Sequence, residues 1–210
     1  MELNKYIDHT YLKAFGGEEV ITKLCEEARK YHFKSVCVNP CFVGYAKSLL
    51  KDSDVLVCTV IGFPLGANTT EVKVFEAVDA IKNGADEIDM VINISKAKDG
   101  DFDYIYNEIK QIKDAIKEHT LKVIIETCYL TEEEIKEVSL IVKKANAQFV
   151  KTSTGFGTGG ATVENVKLIK ETVGDFDIKA SGGIKTKEDF EKMIDAGATR
   201  IGTSNGKNLI

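Results

Sequence analysis

The sequence predicts an α/β fold with a parallel sheet, closed as a single (β/α)8 barrel that takes up residues 1–210. Three observations carry this expectation. Apolar strand-like segments alternate with amphipathic helix-like segments from end to end, with no linker and no low-complexity stretch. Seven strands are clear, and an apolar stub at 7–10 supplies the eighth that a closed barrel needs. No G-x-G-x-x-G follows the first strand, which counts against the alternative, an open doubly wound sheet of the dinucleotide-binding kind.

Each element has its own signal. A helix is expected over 18–31, where Val20, Leu24 and Ala28 recur every four residues. A strand at 35–38 ends at Asn39-Pro40, and a helix over 41–50 follows. The nearly all-apolar strand at 55–61 opens into the loop GFPLGANTT. The helix over 71–83 places Val74, Phe75, Val78 and Ile81 on one face, the face expected to be buried. The strand EIDMVI at 87–92 carries Asp89 in its interior, and the helix over 102–118 repeats isoleucine at 105, 109, 112 and 116. A strand at 122–125 ends on Glu126-Thr127, and Thr131 with Glu134 makes a capping box for the next helix. Then come a strand at 149, a helix over 163–173, a strand at 176–180, a helix capped by Thr186, and a last strand at 200–202. Asn83-Gly84-Ala85, Ala145-Asn146-Ala147 and Ala196-Gly197-Ala198 each end a helix just before a strand. Gly or Asn in the middle suits a left-handed cap.

Composition excludes several classes. Apolar residues make up 43% and charged residues 29%, an ordinary balance for a globular domain. The net charge of −5 has no basic stripe to meet nucleic acid. No apolar run approaches the roughly 20 residues that span a bilayer, and MELNKYIDHT lacks the apolar core of a secretory signal. The five cysteines contain no C-x-x-C, which fits a reduced, cytoplasmic protein. Cys37, Cys58 and Cys128 lie in or just after strands and read as small hydrophobes. The three histidines lack ligand spacing, so neither a metal nor another cofactor is expected.

The chemistry begins at FVKTSTG. Lys151 stands where a short apolar strand runs out, and Lys179 does the same in DIKASGG. In a barrel, strand C-terminal ends meet at one mouth. A free lysine amine has a pKa of about 10.4. A second cation about 4 Å away costs the charged form roughly 4 kcal/mol at an effective dielectric near 20. That is about three pKa units, enough to make one amine a nucleophile for a carbonyl. Asp89, an expensive residue inside an apolar strand, is the candidate proton shuttle; its alternative role is a structural ion pair with Lys179. Ser181-Gly182-Gly183 and Gly202-Thr203-Ser204 close the last two strands, where barrels often bind phosphate.

These residues resemble the deoxyribose-phosphate aldolases, class I aldolases with a TIM-barrel fold. The resemblance runs through IDHTYLK, VCVNP, IGFPLGANTTEVK, GADEIDMVIN, KVIIET, KTSTGF and KASGGIKT, and so through nearly the whole chain. It implies a lyase that reversibly cleaves 2-deoxy-D-ribose 5-phosphate to D-glyceraldehyde 3-phosphate and acetaldehyde without a metal, in deoxyribose phosphate catabolism. It implies Lys151 as the Schiff-base lysine, Lys179 as the lysine that lowers its pKa and joins proton transfer, and Asp89 in the proton relay. Gly182, Gly183 and Ser204 then hold the phosphate, Gly155 lies beside the site, and Asp8 contacts the substrate from the first strand. Members are often homodimers.

Two departures are visible. Asn205 stands where members commonly carry a second serine, and its amide is expected to donate to phosphate. A C-terminal tail that reaches the active site in longer members has no counterpart among these residues, which leaves the closing seam of the barrel to be seen. The rival readings are another phosphosugar aldolase or isomerase on the same fold, and a sugar-phosphate-binding barrel without catalysis.

Overall fold

The computed structural model describes residues 2–210. Eight strands pair in chain order, all parallel: β1 (Ile7–Tyr11), β2 (Ser35–Val38), β3 (Leu56–Ile61), β4 (Glu87–Val91), β5 (Thr120–Ile124), β6 (Phe149–Lys151), β7 (Asp177–Ser181) and β8 (Arg200–Thr203). Strand β8 returns to β1 through Ile7↔Ile201, Asp8↔Gly202 and His9↔Thr203, which closes the barrel. The stub is therefore a full strand. Eight helices accompany them: α1 (Glu18–Tyr31), α2 (Val43–Leu49), α3 (Thr70–Lys82), α4 (Ile94–Lys98), α5 (Phe102–Ile116), α6 (Glu132–Lys144), α7 (Val163–Val173) and α8 (Lys187–Asp195). The short α4 was not expected from the sequence; one turn carries too little periodicity to read. Among the described residues, no helix is long and apolar enough to cross a membrane.

Local chemistry starts and stops these helices. Thr69, Asp101, Thr131, Thr162 and Thr186 each accept a backbone N–H from the first turn. Thr131 and Glu134 form the expected capping box. Gly84, Asn146 and Gly197 have φ of 105°, 66° and 112°, the left-handed stops that the three repeated triplets call for.

The core lies between helices and barrel wall. Outward-facing strand residues such as Val36, Val57, Ile88, Val123 and Ile178 are buried, as are Ile105, Ile109, Ile112, Val138 and Phe190 on the helices. Helix α3 departs from expectation. Phe75 and Val78 are exposed, and Lys73, Ala77 and Ala80 are buried. The helix turns this way because Lys73 Nζ is tied at 2.7 Å to buried Glu108 on α5 and at 2.9 Å to the carbonyl of Val91 at the end of β4. An unpaired ammonium at that depth would cost more than two exposed apolar side chains.

The closing seam is well packed. Leu209 is fully buried, and Lys207 reaches Glu27 at 3.0 Å, which also bonds His9 on β1 at 2.8 Å.

Candidate active site

Register decides what faces the barrel interior. The pairings Asp89↔Lys122, Lys151↔Lys179 and Lys179↔Arg200 put charged residues of neighbouring strands side by side on the inner face. Asp8 and Glu87 join them. The interior thus holds three carboxylates and four basic groups, all nearly or fully buried.

Asp89 is the hub. Its Oδ2 accepts from Lys151 Nζ at 2.8 Å and from Lys179 Nζ at 2.7 Å. Its Oδ1 accepts from Lys122 Nζ at 2.9 Å and from the Cys58 thiol at 3.2 Å. Lys179 also pairs with Asp8 Oδ2 at 2.6 Å. Asp8 Oδ1 accepts from Ser35 Oγ at 2.7 Å and from Arg200 at 2.8 Å. Glu87 joins Lys122 at 2.6 Å to Arg200 at 3.0 Å.

Burial alone would raise the Asp89 carboxyl, but Lys122, Lys151 and Lys179 outweigh it and hold its pKa well below the ordinary 3.8. Asp8 is lowered against the same opposition of burial, by Arg200, Lys179 and Lys122. Burial works to strip Lys179 of its proton, yet Asp8 and Asp89 win and hold its pKa above the ordinary 10.5. Lys179 is therefore an ammonium, and Asp89 a carboxylate.

Above this layer lies a cavity of about 340 Å³ at the C-terminal ends of β1, β6, β7 and β8. Of the sequence-derived candidates, Lys151, Gly155, Gly182, Gly183, Gly202 and Ser204 line it. Asp89, Lys179 and Asp8 do not: they are fully buried beneath it. For Asp8 this departs from the expected substrate contact, because Lys179, Ser35 and Arg200 occupy its carboxylate. Lys151, at 3% exposure, is the only one of the four basic groups on the cavity wall.

Lys13 and Lys185 also line the cavity. Gly182 and Gly183 have φ of 87° and 84°, so their peptides turn in a way that residues with a Cβ resist. Among the described residues, the amides of Gly183 and Ser204 find no acceptor. The start of α8 is already occupied: the Asp189 side chain accepts from the amides of Lys185 and Thr186. The Asn205 amide is likewise committed, donating to the Lys185 carbonyl at 2.9 Å, and Asn205 does not line the cavity. It pins the loop that carries Lys185.

Glu87, Lys122 and Arg200 are network residues absent from the sequence-derived candidates. Their signal was a charged residue within a short, mostly uncharged strand: Glu87 two positions before Asp89 in EIDMV, Lys122 in LKVI and Arg200 in RIGT. Cys37 and Cys58 pack with Leu12 and Val60 as the small hydrophobes expected, and Cys58 in addition donates to Asp89 in the interior. Their sulfurs and an Asp89 oxygen lie within 4.8 Å of one another, but ammonium groups already hold both Asp89 oxygens and oppose a cation there.

Gly202 has a steric duty. A Cβ there would stand 2.9 Å from Ser181 Cβ and 3.1 Å from Lys179 Cε. Gly202→Ala is expected to push Lys179 off Asp89 and lower turnover about 100-fold, the scale of a 1 Å misplacement. A Gly202→Ala enzyme within threefold of the parent in kcat would show that the room above Lys179 is not needed.

A lysine on a cavity wall, backed by a buried carboxylate and a second ammonium at the mouth of a parallel barrel, fits a lyase of the aldolase class. In agreement, residues 3–209 match the family model for the DeoC/LacD family aldolases, and the chain belongs to that family. Its curated relatives carry a narrower name. The deoxyribose-phosphate aldolase of Staphylococcus carnosus is 60% identical over 211 residues, covering 100% of this chain and 96% of its own. That of Thermoanaerobacter sp. is 58% identical over 214 residues, with the same coverage of 100% and 96%. The tetrameric deoxyribose-phosphate aldolase of Aeropyrum pernix superposes with a TM-score of 0.90 at 31% identity, covering 99% of this chain and 88% of that one.

Proposed function

We propose that the chain reversibly cleaves 2-deoxy-D-ribose 5-phosphate to D-glyceraldehyde 3-phosphate and acetaldehyde through a Schiff base on Lys151. The observation that carries this reading is the sharing of Asp89 Oδ2 by two lysines of which only Lys151 reaches the cavity. With every group ionised, the interior cluster has one positive charge in excess. Release of one proton from Lys151 brings it to neutrality and frees the amine lone pair. That amine adds to the C1 carbonyl of the open-chain sugar, and loss of water leaves an iminium. The water released in forming the iminium takes the C3 hydroxyl proton and passes it to the Asp89 relay, and the C2–C3 bond breaks as the C3 oxygen becomes the new aldehyde carbonyl. The electron pair of that bond passes into the iminium to give an enamine, and the phosphorylated aldehyde leaves. Protonation of the enamine carbon and hydrolysis release acetaldehyde and restore Lys151.

Lys179, held protonated, supplies the acid for these transfers. Asp89, a carboxylate at rest, links it to Lys151 and relays protons between the site and Lys179. Asp8 acts on the substrate only through Lys179. The phosphate is assigned to Gly182, Gly183, Gly202 and Ser204, with the free loop amides and the charges of Lys185 and Lys13 in support. No metal or cofactor is assigned a step. The resemblance further supports a homodimer and a cytoplasmic setting.

The test is borohydride trapping with acetaldehyde, followed by peptide mass analysis. A reduced two-carbon adduct on Lys151 is expected. No adduct, in a folded protein that still binds the sugar phosphate, would favour a barrel without catalysis; an adduct on Lys179 would exchange the two lysines. Asp89→Asn should retain the Lys151 adduct, because removing a negative charge favours the neutral amine. Its cleavage rate should fall by at least about 100-fold, as for loss of a proton-transfer group. Loss of the adduct in this variant would give Asp89 a different role.

A further inference from the structure

Glu126 is a buried carboxylate that the steps above do not use. It follows β5 at the mouth of the barrel, is 1% exposed, and has φ 53° and ψ 67°. This left-handed conformation is disfavoured for a residue with a long side chain, and such outliers concentrate at functional sites. On either side of it the chain continues to pair with the strand that carries Lys151. Ile125 N–H donates to the Lys151 carbonyl at 3.0 Å, and Thr127 N–H donates to the Thr152 carbonyl at 2.9 Å. The left-handed turn between them sends the Glu126 side chain across to the loop after β6.

There it meets Thr154. The Thr154 hydroxyl donates to Glu126 Oε2, and the Thr154 amide lies 3.2 and 3.3 Å from the two carboxylate oxygens. The same hydroxyl accepts from the Phe156 amide at 2.9 Å. Among the described residues no basic group forms an ion pair with Glu126, so its charge is held by neutral donors, chiefly those of Thr154. Thr154 forms part of the wall of the Lys151 cavity and of a neighbouring, mostly apolar cavity of about 180 Å³ that Glu126 also lines. The turn 154–156 is the partition between the two, and its Gly155, at φ 84°, faces the Gly182 backbone of the proposed phosphate loop.

We infer that Glu126 is a positioning residue for the proposed lyase. By holding Thr154 through its hydroxyl and amide, it fixes the turn that walls the Lys151 cavity against the phosphate loop, and it acts on turnover without touching substrate. A carboxylate is suited to this because one oxygen pair takes both the amide and the hydroxyl as charge-assisted hydrogen bonds. An amide side chain in its place offers one acceptor oxygen and an NH2 that faces the donors. This inference rests on the Schiff-base reading above.

The test compares Glu126→Gln, Thr154→Val, Thr154→Ser and the Glu126→Gln/Thr154→Val double variant in the full chain. The measurements are kcat and KM for deoxyribose 5-phosphate, thermal unfolding, and acetaldehyde–borohydride labelling of Lys151. Glu126→Gln and Thr154→Val should each lower kcat/KM by about 10- to 100-fold, the scale of a small misplacement of binding groups. The double variant should be little worse than either single one, since both remove the same link. Thr154→Ser keeps the hydroxyl and should recover most of the activity. Lys151 labelling by acetaldehyde, which needs no phosphate loop, should persist in all of them. Parental kcat/KM in Glu126→Gln, or losses that multiply in the double variant, overturn the inference. So does a loss in Thr154→Ser equal to that in Thr154→Val. If Glu126→Gln does not fold, the contrast between the two Thr154 variants decides alone. Failure to label Lys151 in the parent falls on the Schiff-base reading instead.

Discussion

Lys151→Ala is expected to abolish turnover and leave the protein at least as stable as the parent. Removing a covalent nucleophile typically lowers kcat by at least about four orders of magnitude. The stability side follows from the charges. Asp89 keeps Lys122 and Lys179 after the substitution, and the interior cluster then balances three carboxylates with three cations. No carboxylate is stranded, and the excess positive charge is gone. A residue kept for chemistry against the preference of its surroundings behaves in this way. Turnover assays beside urea unfolding of both proteins measure the two halves. A variant that keeps one-tenth of the parental kcat cannot have lost its nucleophile. A variant that loses stability like a broken buried ion pair, about 3 kcal/mol or more, would make Lys151 a structural partner of Asp89.

Lys179→Leu is expected to lose most activity and several kcal/mol of stability. The substitution leaves Asp8 Oδ2 with only the more distant Lys122 Nζ, at 3.9 Å, and removes one of the three lysines on Asp89. Breaking one side of a buried pair costs about 3–5 kcal/mol. The residual activity should move to higher pH. Without Lys179 the cluster is neutral only when Lys151 carries its proton, so freeing the amine now creates a buried negative excess. A pH–rate profile of kcat/KM reads this directly, and an unshifted profile would remove the electrostatic role of Lys179. The parental protein has its own pH signature in stability. Asp8 and Asp89 lie below 3.8 when folded, so their contribution is present above that value and lost as pH falls through the lowered ones. Lys179 lies above 10.5, so its contribution is present below that value and lost as pH rises through the raised one. The network should therefore contribute evenly between about pH 4 and pH 10.

Much of this is legible in the sequence. Strand and helix alternation, the caps at Thr131 and Thr186, and the left-handed stops at Gly84, Asn146 and Gly197 depend on residues close in the chain. Short-range rules therefore suffice for them. The strand-end lysines were visible for the same reason, since an apolar strand that ends on a lysine is a local pattern. The buried face of α3 was not. Its apolar periodicity pointed to Phe75 and Val78, whereas the orientation was decided by Glu108, 35 residues away from Lys73. Asn205 showed the same limit, because its amide is taken by the Lys185 carbonyl across a different loop.

The sequence by itself determined the strand order, the nucleophile candidate, and the glycine loops that face it, because each is written in contiguous residues and their period. Only the tertiary structure decided which charges meet. Barrel closure brings Asp8 and Arg200, 192 positions apart, within 2.8 Å, and places Asp89 between lysines from β5, β6 and β7. Such pairings depend on register and shear around eight strands, a global property that no local stretch encodes. They also set the division of labour: Lys151 reaches the cavity, while Lys179 stays beneath it, charged and enclosed.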